Sequence, residues 1–169
     1  MGIFQVRTIT ILSFLLWNCG LSGQSDLPKW AQERFKTFQK DYSRGTFITP
    51  SFLQADFSGD KKADLAILIE RKSDQKKGIL ILFAQSDKSF IVGSGNTLDA
   101  AGDDFKWADT WEVFTEKETY ETTFTNEGDV AGGREIKLER PAISLWQEEG
   151  SGGLIYFNGR KFVWIHQGD

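Results

Sequence analysis

Two uninterrupted apolar runs constrain the fold of this chain most strongly. The segments 65–69 and 79–83 consist of Leu, Ile, Ala and Phe, with no alternation between apolar and polar residues. A strand with one face in water alternates, so these runs predict strands that are covered on both faces. We therefore expect them to be the central strands of a sheet that lies between two other layers.

Further strands and one helix are predicted around this pair. Short β-branched or aromatic runs, separated by Gly, Asp, Ser and Lys clusters, indicate strands at 47–53, 90–92, 111–114, 119–122, 154–157 and 162–165. The last two flank Asn158-Gly159, a strong hairpin signal. Helical spacing is shown by Leu27, Trp30, Ala31, Phe35, Phe38 and Tyr42.

This helix is expected to begin at Asp26 as N-cap and to end at Gly45. The predicted fold class is α+β: one N-terminal amphipathic helix packed on a mainly antiparallel, β-rich sheet.

The first 19 residues have the pattern of an export signal. They carry one charge, Arg7, and an apolar run from Ile9 to Trp17 that is too short to span a bilayer. We expect residues 1–19 to be a signal peptide, 20–25 a linker and 26–169 a single globular domain.

The segment that ends at Cys19 resembles the lipobox of bacterial lipoproteins, which implies lipidation of Cys19 and a place in the periplasm, at the outer membrane or on the cell surface. The alternative is ordinary cleavage near residues 21–23, which discards the cysteine. Both interpretations export the protein, and only a lipid anchor would attach it to a membrane.

Composition excludes several classes of function. The chain has 169 residues and a formal net charge of −4, without a basic cluster, which argues against nucleic-acid binding. Cys19 is the only cysteine, so no internal disulfide or catalytic thiol dyad can form. His166 is the only histidine and, with Gly-flanked Ser151, makes a weak case for nucleophilic catalysis. We therefore expect a protein without enzymatic activity.

One loop has the spacing of a calcium site. Side-chain oxygens stand at Asp56, Ser58, Asp60 and Asp64, which are relative positions 1, 3, 5 and 9, and the Lys62 carbonyl is at position 7. Calcium takes six to eight hard oxygen ligands, and a curling loop can direct every second side chain inward. The alternative is a plain turn whose carboxylates cap their own backbone amides. A divalent-dependent hydrolase is the weaker enzymatic interpretation of the same residues.

The segment from Asp56 to Leu65 resembles the FG-GAP or VCBS repeat motif, with the form Asp-x-Asn-Gly-Asp-Gly-x-x-Asp-Leu. The match is carried by Asp56, Ser58, Gly59, Asp60, Asp64 and Leu65. The resemblance implies a structural calcium ion. Lys61 stands in place of the second glycine, and no second copy of the motif follows, so a propeller is not expected.

The segment 99–129 is strongly acidic. It carries ten Asp or Glu residues against Lys106 and Lys117. Alternating strands that turn an acidic face to water explain such a bias. The alternative is a surface for a basic partner, as in a periplasmic or surface inhibitor or other interaction module. The partner itself, a protein or an envelope component, is not identified by the sequence.

Overall fold

A computed structural model describes residues 26–168 of the protein. In this part of the chain the helix α1 spans Lys29–Lys36 and eleven strands follow it. The strands are β1 (Tyr42–Arg44), β2 (Phe52–Ala55), β3 (Asp64–Arg71), β4 (Lys77–Leu82), β5 (Ser89–Gly93), β6 (Thr110–Phe114), β7 (Glu118–Phe124), β8 (Val130–Lys137), β9 (Ala142–Trp146), β10 (Gly152–Phe157) and β11 (Phe162–Gln167). Short 3-10 turns cover Asp99–Ala101 and Phe105–Trp107.

The strands form two antiparallel sheets and a ribbon. Sheet 1 has the order β1-β3-β4-β5, in which β1 pairs with the C-terminal end of β3. Strand β2 pairs with the N-terminal half of the same strand. Sheet 2 has the order β11-β10-β9-β6, and β7 pairs with β8 as a separate two-stranded ribbon. A β-rich antiparallel fold with a helix is therefore confirmed, whereas the expectation of one large sheet is wrong.

The central pair of strands explains this division. Along β3 and β4, one set of side chains packs under α1, and the alternate set packs against sheet 2. The helix-side set is Leu65, Ile67, Ile69, Leu80 and Leu82. The sheet-side set is Ala66, Leu68, Ile79 and Ile81. Both faces are buried, as predicted. The helix covers one face, and sheet 2, which contains the strands at the C-terminal end of the chain, covers the other.

The helix is shorter than predicted. Pro28, not Asp26, is its N-cap, and the Pro28 carbonyl accepts from the amides of Ala31 and Gln32 at 2.9 and 3.0 Å. It ends at Lys36, because the residues from Tyr42 onward pair with β3 as strand β1. Gly45 lies beyond that strand, donates its N–H to the Leu68 carbonyl at 2.8 Å, and does not end the helix.

Other strand predictions differ in extent. The run 47–53 was expected as one strand, but the chain bends over 47–51 and β2 begins at Phe52, because Pro50 lacks the N–H that a ladder needs. The hairpin at Asn158-Gly159 is confirmed. Its turn is closed by the Asn158 side chain, which accepts from the amides of Arg160 and Lys161 at 3.0 Å, and Gly159 has φ +95°.

Candidate functional site

The loop with calcium-like spacing connects β2 to β3 and is anchored in the core by one side chain. Its Phe57 side chain is fully buried in the core between the two sheets. The backbone turns at Gly59 and Lys61, with φ +84° and +68°. Lys61 thus adopts the left-handed conformation in which the related motif has glycine.

The carboxylate of Asp56 closes the loop on its own backbone. Its Oδ1 accepts from the amides of Gly59 and Asp60 at 2.7 and 2.9 Å, and its Oδ2 accepts from the Lys61 amide at 2.8 Å. The Ser58 hydroxyl lies 3.5 Å from the same carboxylate. Asp56 therefore holds three consecutive amides in the arrangement that the plain-turn interpretation requires.

Asp64 ties the loop to sheet 1. It is fully buried at the start of β3, where its Oδ2 accepts from the Ser58 amide at 2.8 Å and its Oδ1 accepts from the Ala84 amide at 2.9 Å. Burial raises the pKa of the Asp64 carboxyl, the two backbone amides oppose that rise, and the nearby Asp60 carboxylate adds to it. Asp64 is thus a structural carboxylate that joins the loop to the end of β4.

The remaining predicted ligands lie on the exposed rim. Asp60 is exposed and accepts from the Lys62 amide at 2.8 Å, and Lys61 and Lys62 are exposed beside it. Among residues 26–168, no three His, Cys, Asp or Glu side chains form a group that could hold a metal ion. In this conformation the oxygens of Asp56 and Asp64 accept from backbone amides, which favours the plain turn over a calcium donor set.

A cationic side chain that sequence reasoning missed lies against the loop. Arg140 packs over Gly59: a Cβ added at Gly59 would lie 3.1 Å from the Arg140 Nε. The same guanidinium lies over the Phe157 ring at 5.8 Å and donates to Glu139 at 2.8 Å. The buried Nε of Arg140 has no hydrogen-bond partner in the described part of the chain. No local motif points to Arg140, because it reaches the loop from the segment between β8 and β9.

The acidic segment 99–129 does not form one continuous face. Asp103 pairs with Lys76, and the Asp104 carboxylate accepts from the Lys77 amide at 3.0 Å. Asp109 accepts from the Glu148 amide at 3.0 Å, just after β9. Part of the acidic excess is therefore used within the fold. Its exposed side chains are spread over the 3-10 turn at Asp99, over β6 at Glu112, and over the ends of the ribbon at Glu116, Glu118, Glu127 and Asp129.

The basic loop after β3 is the counterpart of this arrangement. Arg71 donates to Asp74 within the loop, and this hydrogen bond lowers the pKa of Asp74 to about 2. Lys76 reaches Asp103 across the sheet. The loop thus contacts the acidic segment through Asp103 and Asp104.

The residues considered for nucleophilic catalysis lie near one another without forming a dyad. Ser151 and His166 line a cavity of about 230 Å³ that also contacts Trp107 and Trp164. The His166 Nδ1 accepts from the Trp164 indole N–H at 3.4 Å, and no hydrogen bond joins it to Ser151 in the described residues. Trp111 is buried and donates to the Pro50 carbonyl at 2.7 Å, which places it in the core.

The ribbon carries the exposed apolar side chains of the described residues. Tyr120, Phe124 and Val130 are 52%, 47% and 51% exposed, and these are the large hydrophobic side chains found exposed in residues 26–168. Sequence reasoning missed this feature, because β8 is rich in Gly and charge and gives little strand signal.

Comparisons with protein-family models, curated proteins and solved structures find no match for this chain. In the part of the chain that the structure describes, no helix is long and apolar enough to cross a membrane. Cys19, the rest of the predicted signal and the linker 20–25 lie outside the described residues.

Proposed function

We propose that the chain is an exported, lipid-anchored domain of the cell envelope that acts by binding or scaffolding and has no enzymatic activity. The observation that carries the proposal is the order of residues 1–19, with one charge, a short apolar run and Cys19 directly after it. A diacyl anchor on Cys19 would give stable attachment, because two acyl chains suffice where one is marginal.

The absence of enzymatic activity is supported by what the candidate groups already do. Asp64, the buried carboxylate, has both oxygens occupied by backbone amides. His166 has one ring nitrogen occupied by Trp164. Asp64 thus maintains the fold, and among the described residues His166 has no hydrogen bond to Ser151 that would make a nucleophile–base pair.

Labelling with radioactive palmitate in a bacterial host tests the anchor. The full-length protein should take up label and partition into the membrane fraction, and Cys19→Ser should lose the label and leave the membrane fraction. Export without label in the unchanged protein would favour ordinary cleavage near residues 21–23, and retention of both forms in the cytoplasm would refute export.

Within this function the loop 56–64 serves as a brace that ties the start of β3 to the chain just after β4. The hydrogen bonds of Asp56 and Asp64 support a loop that holds its shape without an ion. Calcium bound by Asp56, Ser58, Asp60, the Lys62 carbonyl and Asp64, which the motif resemblance implies, is the alternative prediction for this loop. A divalent cation there would relieve the repulsion between Asp60 and Asp64.

A second candidate function is the capture of a basic protein partner in the envelope. It is favoured by the exposed aromatic and acidic side chains of the ribbon, which have no role in the core. Exposed apolar side chains surrounded by polar ones are typical of interaction sites.

A further inference from the structure

The outer edge of the ribbon is open along β8. In the described part of the chain β8 pairs with β7 and with no other strand. Its residues from Val130 to Glu135 are exposed, and Ile136 alone is half-buried against the outer face of sheet 2. An exposed strand edge presents unpaired N–H and C=O groups to which another chain can add.

The middle of β8 leaves room for an approaching backbone. Gly132 and Gly133 have no side chains there, and a Cβ added at Gly132 would meet nothing within 4 Å. Glycine inside a strand often marks the close approach of a second backbone. The same segment is exposed, so no part of the described fold fills this space.

The apolar side chains of the ribbon lie beside this edge. Phe124 and Val130 are directly opposite each other in the pairing of β7 with β8, and Tyr120 is opposite Glu135. The Phe124 ring contacts the His166 ring at 5.3 Å, which holds that end of the ribbon against sheet 2. Phe124 and Val130 thus lie on a ribbon whose end packs against sheet 2.

The charged side chains of the ribbon favour a partner of positive charge. Arg134 pairs with Glu121, and Lys137 lies 3.9 Å from Glu118, so both cations of the ribbon have acidic partners. The acidic side chains of Glu127, Asp129 and Glu135 have no ion-pair partner among residues 26–168. The ribbon therefore presents uncompensated negative charge next to exposed apolar surface, which suits a cationic partner and disfavours an anionic lipid surface.

We propose that the outer edge of β8 binds an extended, basic segment of a partner protein as an added strand. The partner's backbone would pair with β8, its Lys or Arg side chains would face Glu127, Asp129 and Glu135, and its apolar side chains would cover Phe124 and Val130. This inference rests on the second candidate function above and names the surface and chemistry of that partner.

Fluorescence anisotropy with a labelled peptide of alternating Lys and Val tests the proposal. The peptide is about six residues long, the length of an ordinary strand. The full domain should bind it, and should not bind the matching Glu-Val peptide. Glu127→Lys combined with Asp129→Lys should weaken binding by at least about tenfold, since attraction becomes repulsion at two sites.

The matched control is Glu33→Lys combined with Asp87→Lys, which makes the same change of charge on α1 and in the turn after β4. Both control residues are exposed and lie on the helix side of sheet 1. The control should bind as the unchanged protein does. Equal weakening by both double variants would show an effect of net charge and overturn the proposal.

Backbone pairing is tested separately from charge. A Lys-Val peptide with N-methyl groups on alternate residues keeps its charge and loses strand hydrogen bonds, and it should bind at least about tenfold more weakly. Equal binding of the methylated peptide would refute strand addition. Binding that survives Glu127→Lys and Asp129→Lys would refute the ribbon as the surface while leaving a basic partner elsewhere on the domain. Failure of the domain to bind any cationic peptide, or preferential binding to vesicles of phosphatidylcholine, would overturn both the addition of a strand to β8 and the capture of a basic protein partner.

Discussion

Asp56 carries more of the loop than any of its neighbours, since one carboxylate accepts from three consecutive backbone amides. Asp60, which has the same side chain and a similar position in the motif, accepts from one amide. The two residues therefore form a natural comparison for what the loop requires.

Asp56→Ala removes a charged acceptor from three backbone amides, so we expect it to lower the free energy of unfolding by about 1–2 kcal/mol. The loss stays within this range because the freed amides are exposed and can bind water instead. Asp60→Ala should lower it by about 0.5 kcal/mol or less. Urea denaturation of both variants measures the difference. Equal losses would contradict the assignment of the loop's closure to Asp56.

The pH dependence of stability reports on Asp64. Its folded-state pKa is raised above the ordinary value of 3.8, chiefly by burial, so the folded state holds this proton more tightly than the unfolded chain does. The stability contributed by Asp64 is therefore present below pH 3.8 and is lost as the pH rises through the folded-state pKa.

As the pH rises from 3.8 through the folded-state pKa of Asp64, we expect the unfolding free energy of the unchanged protein to fall relative to that of Asp64→Asn, since Asn cannot ionise. Chemical denaturation of both proteins from about pH 4 to pH 7 tests this. A difference that stays constant with pH, or that changes in the opposite direction, would refute a raised pKa.

Gly59 is required both by its backbone and by Arg140. Its φ of +84° disfavours a side chain, and an added Cβ would meet the Arg140 Nε at 3.1 Å. Gly128 has a similar φ of +95° with nothing within 4 Å, so Gly128→Ala isolates the conformational effect.

Both substitutions should destabilise by about 1 kcal/mol from the backbone alone, and Gly59→Ala should cost more because Arg140 must move. Thermal unfolding of the two variants compares them. An equal or larger loss at Gly128 would contradict the contact with Arg140.

At the scale of elements, α1 is held to sheet 1 by a polar contact as well as by its apolar face. The Arg34 guanidinium donates to the carbonyls of Phe83, Ser86 and Lys88 at 2.5, 2.8 and 2.7 Å. It thereby caps the turn between β4 and β5 from the helix.

Arg34→Leu should lower the free energy of unfolding by about 1–2 kcal/mol, since three carbonyls lose a charged donor. Lys36→Leu, which removes an exposed ion pair with Glu33 on the same helix, should change it by less than about 0.5 kcal/mol. Urea denaturation decides, and similar effects of the two changes would argue against the role assigned to Arg34.

The strands that could be predicted from sequence are those whose side chains alone specify burial. β3 and β4 are continuous apolar runs, and β10 and β11 flank a strong turn signal. β8 was missed because Gly and charged residues dominate it, whereas β9 was missed although it is an apolar run as long as β5 and β6. The helix was overextended because Phe38 and Tyr42 keep helical spacing while packing against sheet 1 from a turn and a strand.

The candidate site shows the same limit. Spacing placed Asp56, Ser58, Asp60 and Asp64 in one loop, and the structure brings them together there. Which atoms the carboxylates would contact could not be predicted, because that depends on Ala84 from the end of β4. The approach of Arg140 depends likewise on the long-range packing of sheet 2.

At the scale of the molecule, the fold is a stack of helix, sheet 1, sheet 2 and ribbon, and the loop 56–64 joins two strands of sheet 1. Its core contains a cluster of aromatic rings, among them Phe83, Phe90, Phe157 and Phe162, whose centroids lie 5.0–6.2 Å apart. A domain packed in this way, with a loop closed by its own carboxylates, should not depend on an ion for its stability.

The midpoint of thermal unfolding of residues 20–169, measured with EDTA and with about 1 mM calcium, tests this claim most directly. An ion that binds only the folded state at a hundredfold excess over its Kd adds about 2.7 kcal/mol, which corresponds to a rise of several degrees. We predict the same midpoint under both conditions. A rise of several degrees with calcium that Asp60→Ala abolishes would contradict the account and establish the loop as a calcium site.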